Sequence, residues 1–481
     1  MLRNKDTTIL SEINGFFTTS EKAIVSIFRA LHSMQVSEKL FFKNDAFNVK
    51  YRSIDKLILL LLFPFFEIKD ASHFGGSALY KIISCGKDVF YRMLNESSID
   101  WRYICYSLNM RLLKTTAVNS EPQESKVDRC LIIDDTDLHK TGRHIEFLGR
   151  IFSHVTKTSI LGFKGLVMAY HDGKSLFALD AALHCEKGKN KKKPFGITPT
   201  QAKERFTKKR DKNSISYKRT QECFITKIDS MISMIRLAIT KGIRFDYLLV
   251  DSWFTCFELV QFIKTRKIDC HLLGMIKMGI TKYSFNGNSL SSKQIVDYCK
   301  RKKQLKRSRK LGYSYIECIV DFQGIKVKLF FCKTSHKGKW HGLLTTNLDL
   351  SFEQAYKIYS TRWTIEVFFK ESKQHLGLGK CQSQDFDAQI ASISISMLQY
   401  NILSVAKRFS DYETLGKLFR SANAEIIELT IAERIWLIII EIIAQLADLL
   451  DIDTELLMEK IITDNQRFEK LLNYKCLMQA G

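Results

Sequence analysis

The stretch "YSTRWTIEVFFKESK", Tyr359 to Lys373, sets a phenol, a guanidinium, a carboxylate and an ammonium in one row: Tyr359, Arg362, Glu366 and Lys373, at spacings of 3, 4 and 7. At about 3.6 residues per turn, such spacings fall on one face of a helix. Trp363, Val367, Phe368 and Lys370 point elsewhere. A solvated face with an i,i+4 ion pair between Arg362 and Glu366 explains half of the row. It does not explain why a second cation and a tyrosine share it.

The rest of the chain narrows the answer. Its 481 residues exceed one ordinary core and suggest about three domains or subdomains. Lys and Arg number 74 against 51 Asp and Glu, a net charge of +23. That excess points to a polyanionic partner, nucleic acid first. Twelve cysteines occur without a C-x-x-C pair or a zinc spacing, which fits a reducing cytoplasm better than a disulfide framework. "MLRNKDTTIL" lacks the apolar core of a signal peptide. "LILLLLFPFF" (Leu57 to Phe66) is too short to span a bilayer and contains Pro64, so it reads as a buried helix. "IWLIIIEIIAQLADLL" (Ile435 to Leu450) carries Glu441, Gln445 and Asp448 on or near one face and reads as a buried or dimerising helix. No membrane partner is expected.

Periodicity divides the chain into five parts. Residues 1–120 read as helical, ending in the polar linker "NSEPQESK" at Asn119 to Lys126. Residues 121–278 alternate strands with helices. "CLIIDD" is a buried strand ending in acids, Asp172-Gly173 marks a hairpin, and "FDYLLVD" is a second apolar strand closing on Asp251. This is an α/β pattern with a parallel portion. Residues 279–345 read as a β-rich insertion, residues 346–400 return to the core with the striped helix, and residues 401–481 are helical. Two basic runs stand out, Lys187 to Lys193 and Lys300 to Lys310.

Ligands in α/β sheets gather at the carboxyl ends of strands. Asp135 and Asp251 both follow apolar strands, and a helix packed across the sheet supplies Glu366. Three carboxylates at one point stay ionised only with cations between them. Hard oxygen donors suit Mg²⁺ or Mn²⁺, and two such ions about 4 Å apart serve phosphodiester displacement.

The filled pattern Tyr, two residues, Arg, three residues, Glu, six residues, Lys resembles the signature of DDE transposases of the insertion-sequence-four family. "DDT" at Asp135 and "VDSWF" at Asp251 are similar to that family's strand motifs. The resemblance covers roughly residues 128 to 385 and implies a ribonuclease-H-like core with a β-rich insertion, flanked by helical N- and C-terminal regions. It implies Asp135, Asp251 and Glu366 as the catalytic, metal-binding triad for Mg²⁺ or Mn²⁺, with two ions. Tyr359, Arg362 and Lys373 are implied as contacts to DNA phosphates. The implied partners are double-stranded DNA, both the element's terminal inverted repeats and the target, and a second copy of the chain on paired ends. The implied setting is a bacterial cytoplasm, at the nucleoid. The N-terminal region is expected to bind DNA and the C-terminal one to dimerise.

Some positions stay open. Asp134 and Asp137 flank Asp135, and alternation puts Asp134 on the opposite strand face; Asp135 is preferred because the family writes its first acid before Thr. Trp253 and Trp363 suit stacking on an unpaired base, with core packing the preferred role for Trp363. His139 and His171 are candidates for phosphate contacts, although a lone histidine is more often structural. Two rival readings remain: a catalytically silent DNA-binding remnant, and a metal-dependent nuclease without strand joining.

Overall fold

The computed structural model describes residues 23–41, 50–118, 127–265, 268–279, 281–335 and 337–427. The chain divides into a unit at residues 1–420 and a second at 421–481, of which the described residues 421–427 are helical. The linker at 119–126 and the apolar segment 435–450 lie outside the described residues.

Helices lead the first unit: α1 (Ala23–Ser33), α2 (Ser53–Leu62), α3 (Lys87–Leu94) and α4 (Trp101–Val118). In α2 seven of ten residues are buried, so "LILLLL" is a core helix; Pro64 then sits in a short 3₁₀ turn, Phe63–Phe66, where its missing N–H costs nothing. Strands β1 (Cys130–His139), β2 (Gly149–Ser153), β3 (Thr158–His171) and β4 (Leu176–His184) follow. The turn between β3 and β4 falls at Asp172-Gly173, where Gly173 takes a φ of +100° and His171 Nδ1 accepts the Gly173 N–H at 3.1 Å. Next come α5 (Pro199–Lys203), α6 (Ile215–Gln221), α7 (Lys227–Thr240), β5 (Tyr247–Val250), α8 (Phe257–Thr265) and β6 (His271–Ile276). The remaining elements are β7 (Lys282–Phe285), β8 (Asn288–Ser291), α9 (Ser292–Arg301), β9 (Lys306–Ser308), β10 (Tyr313–Phe322), β11 (Ile325–Lys333), β12 (His341–Thr345), α10 (Phe352–Ser360), α11 (Trp363–His375) and α12 (Phe386–Arg408).

All twelve described strands join one sheet, ordered β2-β3-β1-β5-β6-β12-β11-β10-β7-β8, with β4 on β3 and β9 on β10. Strands β4, β3 and β1 are antiparallel, and β1, β5 and β6 are parallel. An antiparallel trio followed by two parallel strands, with helices on both faces, is the ribonuclease-H-like α/β arrangement. The segment read as an insertion does not form a layer of its own. Strand β12 pairs antiparallel with β6, so β7 to β12 prolong the core sheet.

Helix α12 is buried at every position from Phe386 to Ala406 except Ser392. A helix enclosed on all sides must satisfy its polar side chains internally. Asn401 does so at the edge of the sheet: its Oδ1 accepts the Ala178 N–H at 2.8 Å, and its Nδ2 donates to Ala178 O at 2.8 Å and to Asn109 Oδ1 at 2.6 Å. The open edge of β4 is thereby closed by α4 and α12.

Candidate active site

Register decides which acids meet. Strands β1 and β5 run parallel with Ile133 beside Val250. One step further, Asp134 lies beside Asp251, and in-register neighbours in a parallel pair point to the same face. Asp135 points to the other face. Strand β1 also continues to His139, so the acids lie within it, at the point where β5 ends and only β3 still pairs with β1.

Side-chain contacts agree with the register. Arg362 donates through Nη1 to Asp134 Oδ2 at 2.8 Å, and its Nη2 contacts Glu366 Oε1. Tyr359 donates its hydroxyl to the Val250 carbonyl at 3.2 Å, immediately before Asp251. Lys373 donates to Thr136 Oγ1 at 2.6 Å, on the same face of β1 as Asp134. Tyr359, Arg362, Glu366 and Lys373 thus gather over Asp134 and Asp251, while the expected Asp135 turns away to Lys227, 2.5 Å from its Oδ2. The "DDT" reading chose the wrong strand face: the acid under the stripe is Asp134.

The stripe is also not one helix. Helix α10 ends at Ser360, Thr361 and Arg362 form a turn, and α11 begins at Trp363. Tyr359 reaches β5 while Arg362 reaches β1. Trp363 is 62 % exposed, contrary to the core role expected for it. Trp253 is 42 % exposed beside Asp251.

Asp251 is held by its own turn. Its Oδ1 accepts the N–H groups of Trp253 at 2.8 Å and Phe254 at 3.1 Å, and its carbonyl accepts the Thr255 hydroxyl at 2.9 Å. Thr255 packs over β6 where a Cβ on Gly274 would lie 2.2 Å from Thr255 Oγ1, so the turn depends on that glycine. Neither Gly274 nor Lys227 stands out in the sequence, since the neighbours they meet, Thr255 and Asp135, are supplied only by the fold.

Electrostatics set Asp134 apart from an ordinary surface acid. Burial pushes its pKa up to about 7; Arg362 works against that rise, and the adjacent Asp251 adds to it. Burial also raises the Tyr359 hydroxyl and lowers the Lys373 ammonium. Burial opposes the charge on Arg362, but Tyr359, Asp134 and Glu366 outweigh it and keep the guanidinium above its ordinary value. Among the described residues, no three acids, histidines or cysteines already converge as a cation cage. Asp134 and Glu366 are instead bridged by one guanidinium. The donor chemistry fits a hard divalent cation: two strand carboxylates side by side, and a third carboxylate held on the same Arg362.

The remaining candidates fall outside this cluster. His139 is exposed at the end of β1, and His171 serves the hairpin turn. Asp137 pairs with the buried Lys164. Lys187 to Lys193 are exposed, as are Lys300 to Lys310 apart from Ser308. Lys300 and Lys333 carry their ammonium groups 5.4 and 5.2 Å from the Trp340 ring centroid. No described helix is long and apolar enough to cross a membrane.

Comparison with known proteins is consistent with this geometry. Residues 82–272 match the sequence profile described as DDE superfamily endonuclease, and residues 220–402 match that described as transposase DDE domain. DDE-superfamily transposase domains are therefore present in the chain. No curated protein matches it. Among solved structures, a cryo-EM piggyBac transposase synaptic complex with hairpin DNA aligns with 87% of this chain and 82% of its own, at 13% identity and a TM-score of 0.42. The crystal structure of the NurA nuclease from Sulfolobus solfataricus aligns with 50% of this chain and 74% of its own, at 10% identity and a TM-score of 0.23. At those scores neither likeness adds to what the strand order gives.

Proposed function

We propose that this protein is a DNA transposase of the insertion-sequence-four type, which cuts DNA at the ends of its element and joins the 3′-hydroxyls to target DNA. The observation that carries the reading is the meeting of Arg362 with Asp134 and Glu366 above Asp251. Asp134, Asp251 and Glu366 are the acids that would hold Mg²⁺ or Mn²⁺, two ions in all. When bound, such ions activate the attacking water or hydroxyl and stabilise the leaving oxygen. Asp134 replaces Asp135 in that set.

Arg362 and Lys373 are the phosphate contacts. A guanidinium pairs two oxygens of a phosphate as readily as it now pairs two carboxylates, and an ammonium acts as a point charge. Tyr359 anchors the turn before Asp251 and is the third phosphate contact of the row. The exposed runs at Lys187 to Lys193 and Lys300 to Lys310 follow the DNA backbone, and exposed Trp253 and Trp363 suit unpaired bases. The helical residues 1–120 take part in DNA binding, and residues 401–481 in dimerisation on paired ends.

The test uses DNA carrying the inverted repeats that flank the gene. Asp134→Asn, Asp251→Asn and Glu366→Gln each abolish cleavage in Mg²⁺ and leave gel-shift binding largely intact. Asp135→Asn retains measurable cleavage. If Asp134→Asn cuts normally, Asp134 is misassigned. A wild-type protein that binds these ends but never cuts them under Mg²⁺ or Mn²⁺ is instead a silent DNA-binding remnant, and cutting without joining makes it a nuclease.

A further inference from the structure

Asp135, turned away from the cluster, has a connected environment of its own. Lys227, the first residue of α7, places Nζ 2.5 Å from Asp135 Oδ2, with side chains 14% and 20% exposed. The same ammonium lies 4.0 Å from the Trp253 ring centroid and 6.0 Å from that of Phe254. Trp253 and Phe254 are the two residues whose N–H groups hold Asp251 Oδ1. A continuous path therefore starts at Asp135, on the sheet face opposite α11, and runs through Lys227 and two aromatic rings to the turn whose N–H groups hold the Asp251 carboxylate.

An ammonium so largely withdrawn from water needs compensation, and here one carboxylate and two ring faces provide it. If the pair were only a fold element, its partners could be any buried residues. They are instead the residues that fix one oxygen of Asp251, which leaves the other available to a cation. We infer that Lys227 is a positioning residue for cation binding at Asp251. It clamps the Asp251-Ser252-Trp253-Phe254 turn from beneath, and it neutralises Asp135, whose negative charge adds to the acid load on Asp134. Groups behind a metal ligand typically change cation affinity about 10- to 100-fold when removed. The inference rests on the reading of Asp134, Asp251 and Glu366 as cation-binding acids.

The experiment is calorimetric titration of Mn²⁺ into the full-length protein, for the wild type, Lys227→Ala, Lys227→Arg, Asp135→Asn, Lys227→Ala/Asp135→Asn and Asp251→Asn. Lys227→Ala is expected to weaken Mn²⁺ binding about 10-fold or more. Lys227→Arg restores most of that loss, and the Asp135→Asn/Lys227→Ala double variant loses no more than Lys227→Ala alone, since both act through one path. In cleavage assays on the flanking repeats, Lys227→Ala raises the Mn²⁺ concentration for half-maximal rate and spares the rate at saturating Mn²⁺, a split that general loss of fold does not produce. Asp135→Asn, which preserves volume, provides the same readout should Lys227→Ala fail to fold. Mn²⁺ affinity unchanged in both Lys227→Ala and Asp135→Asn overturns the positioning role while leaving the site reading intact. A wild type that takes up no Mn²⁺, or an Asp251→Asn that binds it normally, overturns the site reading and this role with it.

Discussion

Gly274 shows how a single missing carbon orients an acid at the end of the neighbouring strand. It sits opposite Val250 on β6, and the Thr255 hydroxyl fills the place of its absent side chain while bonding to the Asp251 carbonyl. A methyl there would meet Thr255 Oγ1 at 2.2 Å and Val250 Cγ2 at 3.1 Å, so the turn carrying Asp251 must lift. Gly274→Ala is expected to destabilise the protein by about 1–3 kcal/mol and to lower DNA cleavage more than DNA binding. Adding Thr255→Ala removes the nearer clash and should recover part of the stability in urea melts; no recovery would mean the strain lies elsewhere. The choice between Asp134 and Asp135 also belongs to this scale. Strand β1 is buried on both faces over Cys130 to Ile133, so its apolar run carries no phase that tells one face from the other. The phase is set by pairing with β5, a long-range contact absent from local sequence. Glu366, Arg362, Lys373 and Asp251 were legible because helical spacing and a strand end are local signals.

At the scale of elements, α10 and α11 were legible as helix but their break was not, because Thr361 and Arg362 carry no glycine or proline to announce it. A second connection hidden from sequence is Lys140, just past β1. It is 2% exposed and donates to the carbonyls of Gly379 at 3.0 Å and Cys381 at 2.7 Å, tying the strand to the loop after α11. Burial lowers its pKa to about 8 from the ordinary 10.5. Since the folded value is depressed, the unfolded chain holds the proton between about pH 8 and 10.5 while the folded chain has released it. Stability from this group therefore rises with pH through that window, and below it the buried charge costs on the order of 3 kcal/mol. Lys140→Met removes the charge and its titration together. In urea melts the stability of the variant relative to wild type should fall between pH 7 and pH 10, with other titrations cancelling in the difference. A difference that stays flat with pH would show that Lys140 is not desolvated as its surroundings imply.

For the molecule as a whole, the twelve described strands form one continuous sheet, and two exposed basic runs lie outside the acid cluster. The basic run Lys187 to Lys193 leads into a loop pinned by a buried ion network: Arg210 bonds Glu146 at 2.7 Å and Asp385 at 3.2 Å, and Lys208 reaches Asp385 and Asp387, both at 2.8 Å. The run Lys300 to Lys310 spans the end of α9 and β9 on the prolonged sheet, and Lys300 lies beside Trp340. Both runs read from sequence as solvated loops or DNA contacts with equal ease, because charge alone does not say whether a loop is anchored. In the fold both runs are exposed apart from Ser308, and their contact with DNA remains part of the proposed function. Each phosphate contact releases condensed counterions, so its loss lowers the slope of log affinity against log salt by about one. Replacing Lys300, Arg301, Lys302 and Lys303 together by Gln should reduce that slope by about one to three for DNA carrying the element ends. All four are exposed on the surface, so melting behaviour should hardly change. Cleavage at low salt should persist, because these cations lie outside the cluster of Asp134, Asp251, Arg362 and Glu366. An unchanged slope would place the DNA path away from the prolonged sheet, and loss of cleavage with binding retained would mean that this basic edge acts on the scissile phosphate itself.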